Sequence, residues 1–236
     1  MDYREEIAQN IARIRAQMEQ AAAAAGRDPK QIHLCAATKM NDADRVKAAV
    51  AAGVDCCGEN RVQELTQKYP LGAYTGKPLH FIGRLQTNKV KYLVGVVDLI
   101  QSVDRIELLE CIEKIAAKKD LVQNILLEVN VGMEESKSGF TVPQAREIAA
   151  KMAEYPHVKL CGLMAIPPVS EKKGDNLRYF DEMRNLFIDI EAKKYDNVSM
   201  DCLSMGMSDD FEDAIAAGST MIRVGTAIFG ARNYNK

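Results

Sequence analysis

Several things are missing from this chain, and each absence removes a class of function. No apolar run is long enough to cross a bilayer. The opening stretch, MDYREEIAQNIARIRAQMEQ, is charged and periodic. It lacks the apolar centre and cleavage site of a secretory signal, so the expected compartment is the cytoplasm. Lys and Arg total 31 against 33 Asp and Glu, a net charge of −2, so there is no basic surplus to hold a nucleic-acid backbone. The six cysteines include no C-x-x-C pair, and most sit in apolar, strand-like runs where a thiol serves as a small hydrophobe; no disulfide framework is expected. The three histidines, His33, His80 and His157, have no metal-ligand spacing to one another or to cysteine, which argues against a zinc site. There is no G-x-G-x-x-G after the first strand-like run, no Walker loop, no linker, no low-complexity tract and no internal repeat.

What is present is a β/α rhythm. The 236 residues are 47% hydrophobic and 27% charged, enough apolar material for a sizeable core. Ile7, Ile11, Ile14 and Met18 recur at helical spacing, and Gly26 stands where such a helix would stop. Short apolar runs then predict eight strands, near His33–Lys39, Cys56–Asn60, Leu79–Gly83, Leu99–Val103, Asn124–Asn130, Leu160–Ile166, Cys202–Met207 and Met221–Thr226. Helical patterns fill the intervals. One runs over Asp104–Lys119, one follows the capping box Thr141-Val142-Pro143-Gln144, one carries Leu177, Phe180, Met183, Phe187 and Ile190, and one begins at Ser208. Strands alternating with helices imply parallel pairing, and the economical closure is a single (β/α)8 barrel of the TIM type with an extra N-terminal helix, one domain over residues 1–236. An open doubly wound sheet is the alternative, and the missing glycine-rich loop speaks against it.

A barrel gathers its chemistry at the C-terminal ends of the strands. Strand alternation puts Cys35, Ala37 and Lys39 on one face. If that face points inward, a partly desolvated lysine stands over two small side chains, and its neutral amine is more available to aldehydes. A lysine just past the strand, pointing at solvent, is the plainer reading. Arg223 shares a face with Met221 and Gly225; facing inward, it needs a carboxylate, a phosphate or a ligand acceptor, and a structural salt bridge would also satisfy it. The step Gly225-Thr226 can present backbone N–H groups and a hydroxyl to an anion, with Ser204 and Gly206 next door, or it can be ordinary turn chemistry. Asp209 and Asp210 would repel a phosphate on their own helix, which favours the eighth-strand loop. Asn60 either touches a ring substituent or caps a helix, and His80 reads as an interior histidine. A lysine, an arginine and a phosphate-type loop at one barrel mouth describe a site for a phosphorylated aldehyde.

Seven ordered motifs carry a resemblance: Ala37-Thr38-Lys39, Gly58-Glu59-Asn60, His80-Phe81-Ile82-Gly83, Gln86-Thr87-Asn88-Lys89, Leu163-Met164-Ala165, Ser204-Met205-Gly206-Met207-Ser208 and Val224-Gly225-Thr226-Ala227-Ile228-Phe229-Gly230. With them, nearly the whole chain resembles the pyridoxal phosphate homeostasis proteins, whose barrel is similar to that of alanine racemase and the eukaryotic-type ornithine decarboxylases. The resemblance implies that Lys39 carries pyridoxal 5′-phosphate (PLP) as a Schiff base and that Arg223 faces the pyridine nitrogen. It implies that Ser204, Gly225 and Thr226 hold the phosphate, and that Asn60 and Met164 line the ring pocket. It further implies a carrier or regulator of vitamin B6 with little or no turnover, acting as a monomer or weak dimer, with apo forms of PLP-dependent enzymes as possible acceptors.

Two features agree with weak catalysis. An arginine at the ring nitrogen disfavours ring protonation and so weakens the ring as an electron sink. Only residues 231–236 follow Gly230, which leaves no room for the second, β-rich domain of the racemases and decarboxylases. Two other functions remain open at this level: a small PLP-dependent amino-acid racemase, and a cofactor-free barrel enzyme that uses Lys39 as aldolases do.

Overall fold

In the computed structural model, which describes residues 2–134, 137–168, 172 and 174–230, the chain closes into a parallel eight-stranded barrel. The strands are β1 (His33–Ala37), β2 (Cys56–Glu59), β3 (Leu79–Phe81), β4 (Leu99–Val103), β5 (Gln123–Val129), β6 (Val158–Ala165), β7 (Val198–Ser204) and β8 (Met221–Val224). They pair in chain order, and β8 returns to β1 through the register His33↔Met221 to Ala36↔Val224. The helices are α1 (Tyr3–Ala24), α2 (Ala43–Ala51), α3 (Val62–Lys68), α4 (Ile106–Lys118), α5 (Val142–Ala150), α6 (Leu177–Lys193), α7 (Phe211–Ala216) and α8 (Thr226–Phe229). No helix among the described residues is long and apolar enough to cross a membrane.

Local chemistry explains most boundaries. Asp2 caps α1 from its carboxylate, and Gly26, at φ +66°, turns the chain out after the last turn. Thr141 and Gln144 form the expected reciprocal capping box at α5. Three expectations shift. The link from β3 to β4 is a 3-10 stretch over Thr87–Tyr92 rather than an α-helix. The helix expected from Ser208 begins at Phe211, because the Asp210 carboxylate turns back to accept the Met207 N–H at 2.7 Å and holds the preceding residues in a loop. The seventh strand begins at Val198, before the expected Cys202, because Val198 is already in register with Leu160 on β6. Between Leu160 and Gly162 that register slips. Glycine makes the slip possible: at φ +144° a Cβ on Gly162 would collide with the backbone of Cys202.

Alternation along the strands builds two shells. One side of each strand faces the helices, where Leu34, Ala36, Cys57, Phe81, Ile100 and Leu203 join Val46, Leu65, Leu109 and Phe180 in the main core. The helix α1 adds Ile7, Ile11, Ile14 and Met18 to this shell while packing on α2, α7 and α8. Each isoleucine so buried contributes about 1.5–3 kcal/mol. The other side faces the barrel axis and holds two small separate clusters, Cys35 with Cys56 and Met221, and Leu99 with Leu126 and Met164. Ile82 lies beside Cys35 in the interior, and His80, Gln101, Ser204 and Arg223 make it partly polar. The wall is uneven: the ladder between β7 and β8 has the single register pair Ser204↔Met221.

Candidate functional site

Lys39 stands two residues beyond β1 and is half-buried. Cys35 lies inside the barrel, and alternation carried past the strand end would bring Lys39 to the same inward face at the mouth. Its backbone is fixed from both sides. Thr38 N–H donates to the Gly58 carbonyl at 2.9 Å, and the Asn41 amide donates to the Lys39 carbonyl at 3.0 Å. Met40, at φ +60°, gives its N–H to Glu64 at 2.7 Å. Beneath these lies a buried ionic knot. Glu59 Oε1 accepts from Lys68 Nζ at 2.7 Å, from Thr38 Oγ1 at 2.6 Å and from the Tyr74 hydroxyl at 3.1 Å. Lys68 also donates to the Thr38 carbonyl at 3.0 Å and to Glu64 at 2.9 Å. Burial, together with the adjacent Glu59 charge, pushes the Tyr74 phenol well up, so it stays a donor. The sequence reading did not find this knot. Its one signal is that Glu59 shares the outward face with Cys57, so a buried partner had to come from α3.

Asn60 follows β2, and its Oδ1 is buried without a hydrogen-bond partner. Such an atom favours a donor from a ligand. Its position is set by Gly83, where a Cβ would lie 2.6 Å from Asn60 Cα and closer still to its carbonyl oxygen.

Arg223 projects into the barrel, 5% exposed. Its Nη1 donates to Ser204 Oγ at 2.6 Å and its Nη2 to the Ala165 carbonyl at 2.9 Å. Burial lowers its pKa, and nearby Cys35 and Glu128 oppose the shift. Among the described residues it makes no salt bridge, and the hydrogen-bond partners Ser204 and Ala165 are neutral. The Ser204 hydroxyl gives its proton to Gln101 Oε1 at 2.7 Å while its oxygen receives Arg223, so it has no proton left for a phosphate. It orients the arginine instead. Gln101 continues the chain, with its Nε2 2.9 Å from His80 Nδ1 and 3.2 Å from the Met221 sulfur. Met164 is fully buried in the inner cluster and is the register partner of Ser204. Glu128, opposite, has its pKa pushed up to about 7, first by burial and then by the charge of Asp104. Glu59 and Glu128 do not form a pair, since one faces the helices and the other the interior.

Gly225 begins α8 with no side-chain cap, and Thr226 is exposed beside it at the mouth. A Cβ on Gly225 would press on the Ala37 carbonyl at 3.2 Å, so the eighth-strand loop lies close against the first strand that leads to Lys39. Asp210 is occupied by Met207 N–H and by the Asn176 amide at 2.9 Å. Of the Met205–Met207 stretch, Met205 belongs to the outer core and Met207 is 37% exposed.

Barrel closure also gathers residues whose sequence spacing shows nothing. The thiols of Cys35 and Cys56 and the imidazole of His80 lie within 4.8 Å of one another, all buried. A hydrogen bond from Cys56, with His80 and Arg223 adding to it, holds the Cys35 thiol below its usual range against burial. The Cys56 thiol rises correspondingly.

The fold and this mouth define a barrel of the alanine racemase type: residues 4–233 match the family described as alanine racemase, N-terminal domain. A pyridoxal phosphate homeostasis protein of Aquifex aeolicus is 42% identical over 226 residues, covering 96% of this chain and 98% of its own. The protein of that name in Escherichia coli (strain K12) is 41% identical, covering 98% and 99%. The structure of PipY from Synechococcus elongatus PCC7942 with PLP bound superposes with a TM-score of 0.81 at 30% identity, covering 95% of this chain and all of that one. The chain belongs to the pyridoxal phosphate homeostasis protein family.

Proposed function

We propose that the protein binds PLP covalently through the Lys39 amine at the barrel mouth and serves intracellular vitamin B6 homeostasis, with little or no turnover. The observation that carries this reading is the convergence on one mouth of a half-buried lysine, an unpartnered buried amide oxygen and an inward guanidinium bonded to the neutral Ser204 hydroxyl and Ala165 carbonyl. These fit the group. Asn60 would meet a ring substituent, Met164 would line the ring, and Arg223 would face its nitrogen. Gly225 and Thr226 would take the phosphate, and the part given at first to Ser204 becomes the aiming of Arg223. When bound, PLP supplies a ring that withdraws electrons from an attached amine. Arg223 limits that power, because its fixed positive charge opposes a proton on the ring nitrogen. The names of the relatives agree with a homeostatic role, and the PLP-bound PipY structure agrees with the ligand. As further parts of this proposal, the chain is a single domain in the cytoplasm, a monomer or weak dimer, handing PLP to apo-enzymes.

The test is the visible absorbance of the purified protein before and after borohydride, beside Lys39→Ala. A yellow protein whose chromophore becomes fixed to Lys39, with no turnover of added amino acids, is the expected result. A protein that stays colourless with added PLP overturns the reading, and amino-acid turnover abolished by Lys39→Ala restores the racemase alternative.

A further inference from the structure

We propose that the floor of this barrel is a binding site for one thiophilic d10 metal cation, Cu(I), held by Cys35, Cys56 and His80. The three ligands come from three successive strands. Cys35 and Cys56 are register partners on β1 and β2, and His80 stands on β3, in register with Gly58. Their ligand atoms lie within 4.8 Å of one another, so a small inward movement brings two sulfurs and a nitrogen to a common centre. They are 0%, 2% and 7% exposed, and no carboxylate is among them. A dry set of two sulfurs and an imidazole selects a soft ion over magnesium or calcium. Met221 packs against both cysteines in the same inner cluster and offers a thioether, a ligand that copper(I) accepts readily.

Charge decides between monovalent and divalent ions. Two thiolates around Cu(I) leave one net negative charge inside the barrel. Cys35 is the register partner of Arg223, a buried cation with neutral hydrogen-bond partners. A buried charge is stabilised by an opposite one, so the pair closes to neutrality. Around Zn(II) the same two thiolates are already neutral and leave Arg223 as it was.

The site also has a supporting residue. Gln101 Nε2 now faces His80 Nδ1 and the Met221 sulfur. Ligation through the other imidazole nitrogen puts the histidine proton on Nδ1, and rotation of the Gln101 amide then presents to that proton the oxygen that now accepts from Ser204, at the expense of that bond. The same rotation withdraws the amide N–H from Met221.

The test is an anaerobic Cu(I) titration of the whole protein, reduced throughout, against a chromophoric copper chelator. The PLP absorbance is read in the same samples, so the two sites succeed or fail separately. One equivalent of copper with a thiolate-to-copper charge-transfer band is expected. Cys35→Ser and Cys56→Ser should abolish it, and Gln101→Leu should weaken binding by about 10–100-fold. Cys57→Ala removes a neighbouring thiol that faces the outer core and should leave binding unchanged. Circular dichroism checks that each variant folds. For any variant that does not, alkylation of the native chain supplies the result, with copper protecting Cys35 and Cys56. No uptake, uptake that survives loss of both cysteines, or preferential uptake of Zn(II) in a parallel titration overturns the proposal. So does a Cys35–Cys56 disulfide that persists under reduction in place of metal.

Discussion

Glu59 and Lys68 meet at 2.7 Å inside the protein, with side chains 0% and 9% exposed, directly beneath the turn that carries Lys39. Lys68 reaches past Glu59 to the Thr38 carbonyl, so the ion pair fixes the residue before the lysine. Removing one member leaves a buried charge alone. Lys68→Met should therefore cost about 3–5 kcal/mol in denaturant unfolding. The double variant Glu59→Leu/Lys68→Met should recover most of that loss. It should still bind PLP more weakly, because Thr38 has lost its anchor. Full binding in the double variant would show that the knot does not position Lys39.

Glu128 should make stability depend on pH. Burial raises its folded pKa to about 7, above the 4.5 of an exposed glutamate. The unfolded chain therefore releases this proton first, and folding loses free energy as pH rises from about 4.5 to about 7. Glu128→Gln removes that loss. At pH 8 the variant should be up to about 2–3 kcal/mol more stable, and near pH 4 the two should coincide. Urea unfolding at both pH values, with equal PLP loading, checks this. A constant difference across the range contradicts it.

Gly83→Ala tests how rigidly Asn60 is held. The added methyl meets backbone, which cannot step aside as a side chain would. A cost of about 1–3 kcal/mol is expected from overpacking. PLP affinity should fall along with it, and a calorimetric titration of the folded variant would read that fall. Unchanged affinity would remove Asn60 from the site.

Ser204 is expected to act through Arg223. Ser204→Ala should lower stability by about 1–3 kcal/mol, because Gln101 and Arg223 both lose a buried partner. In a double-mutant cycle of PLP affinity, Ser204→Ala should add little once Arg223→Ala is present. Additive losses would instead return Ser204 to direct contact with the phosphate.

Much of this was legible in the chain. The runs around Cys35, Cys57, Ile100 and Ile222 are short, apolar and regularly spaced, and alternation grouped Met221 with Arg223 and Cys35 with Ala37 and Lys39, while which way those faces point needed the closed barrel. Helix starts were legible where the cap is local, as at Thr141, and not where a side chain turns back, as at Asp210. The Glu59–Lys68 knot was not legible because it depends on how α3 folds back over the outer face of β2. The Cys35–Cys56–His80 group meets through the pairing of three strands, and the distances are fixed by strand register rather than by sequence spacing. Ser204 shows the remaining gap. Its position was foreseen, but which partner takes a hydroxyl proton depends on Gln101, which no motif contained.

The seam between β7 and β8 ties these parts together. Its register is one pair long, and backbone bonds carry on past it, from Thr220 N–H to the Leu203 carbonyl at 3.0 Å, Met205 N–H to the Met221 carbonyl at 3.1 Å and Arg223 N–H to the Gly206 carbonyl at 3.0 Å, with side chains adding to them. The Ser219 hydroxyl donates to the Met205 carbonyl at 2.8 Å, with the Met221 and Leu203 carbonyls at 3.0 and 3.2 Å as alternative acceptors, Thr220 takes the Leu203 N–H, and Arg223 reaches Ser204. The arginine that aims at the mouth is therefore also a clasp on the wall. Any molecule that seats against Arg223 therefore also bears on Ser204, through the 2.6 Å bond that joins β8 to β7.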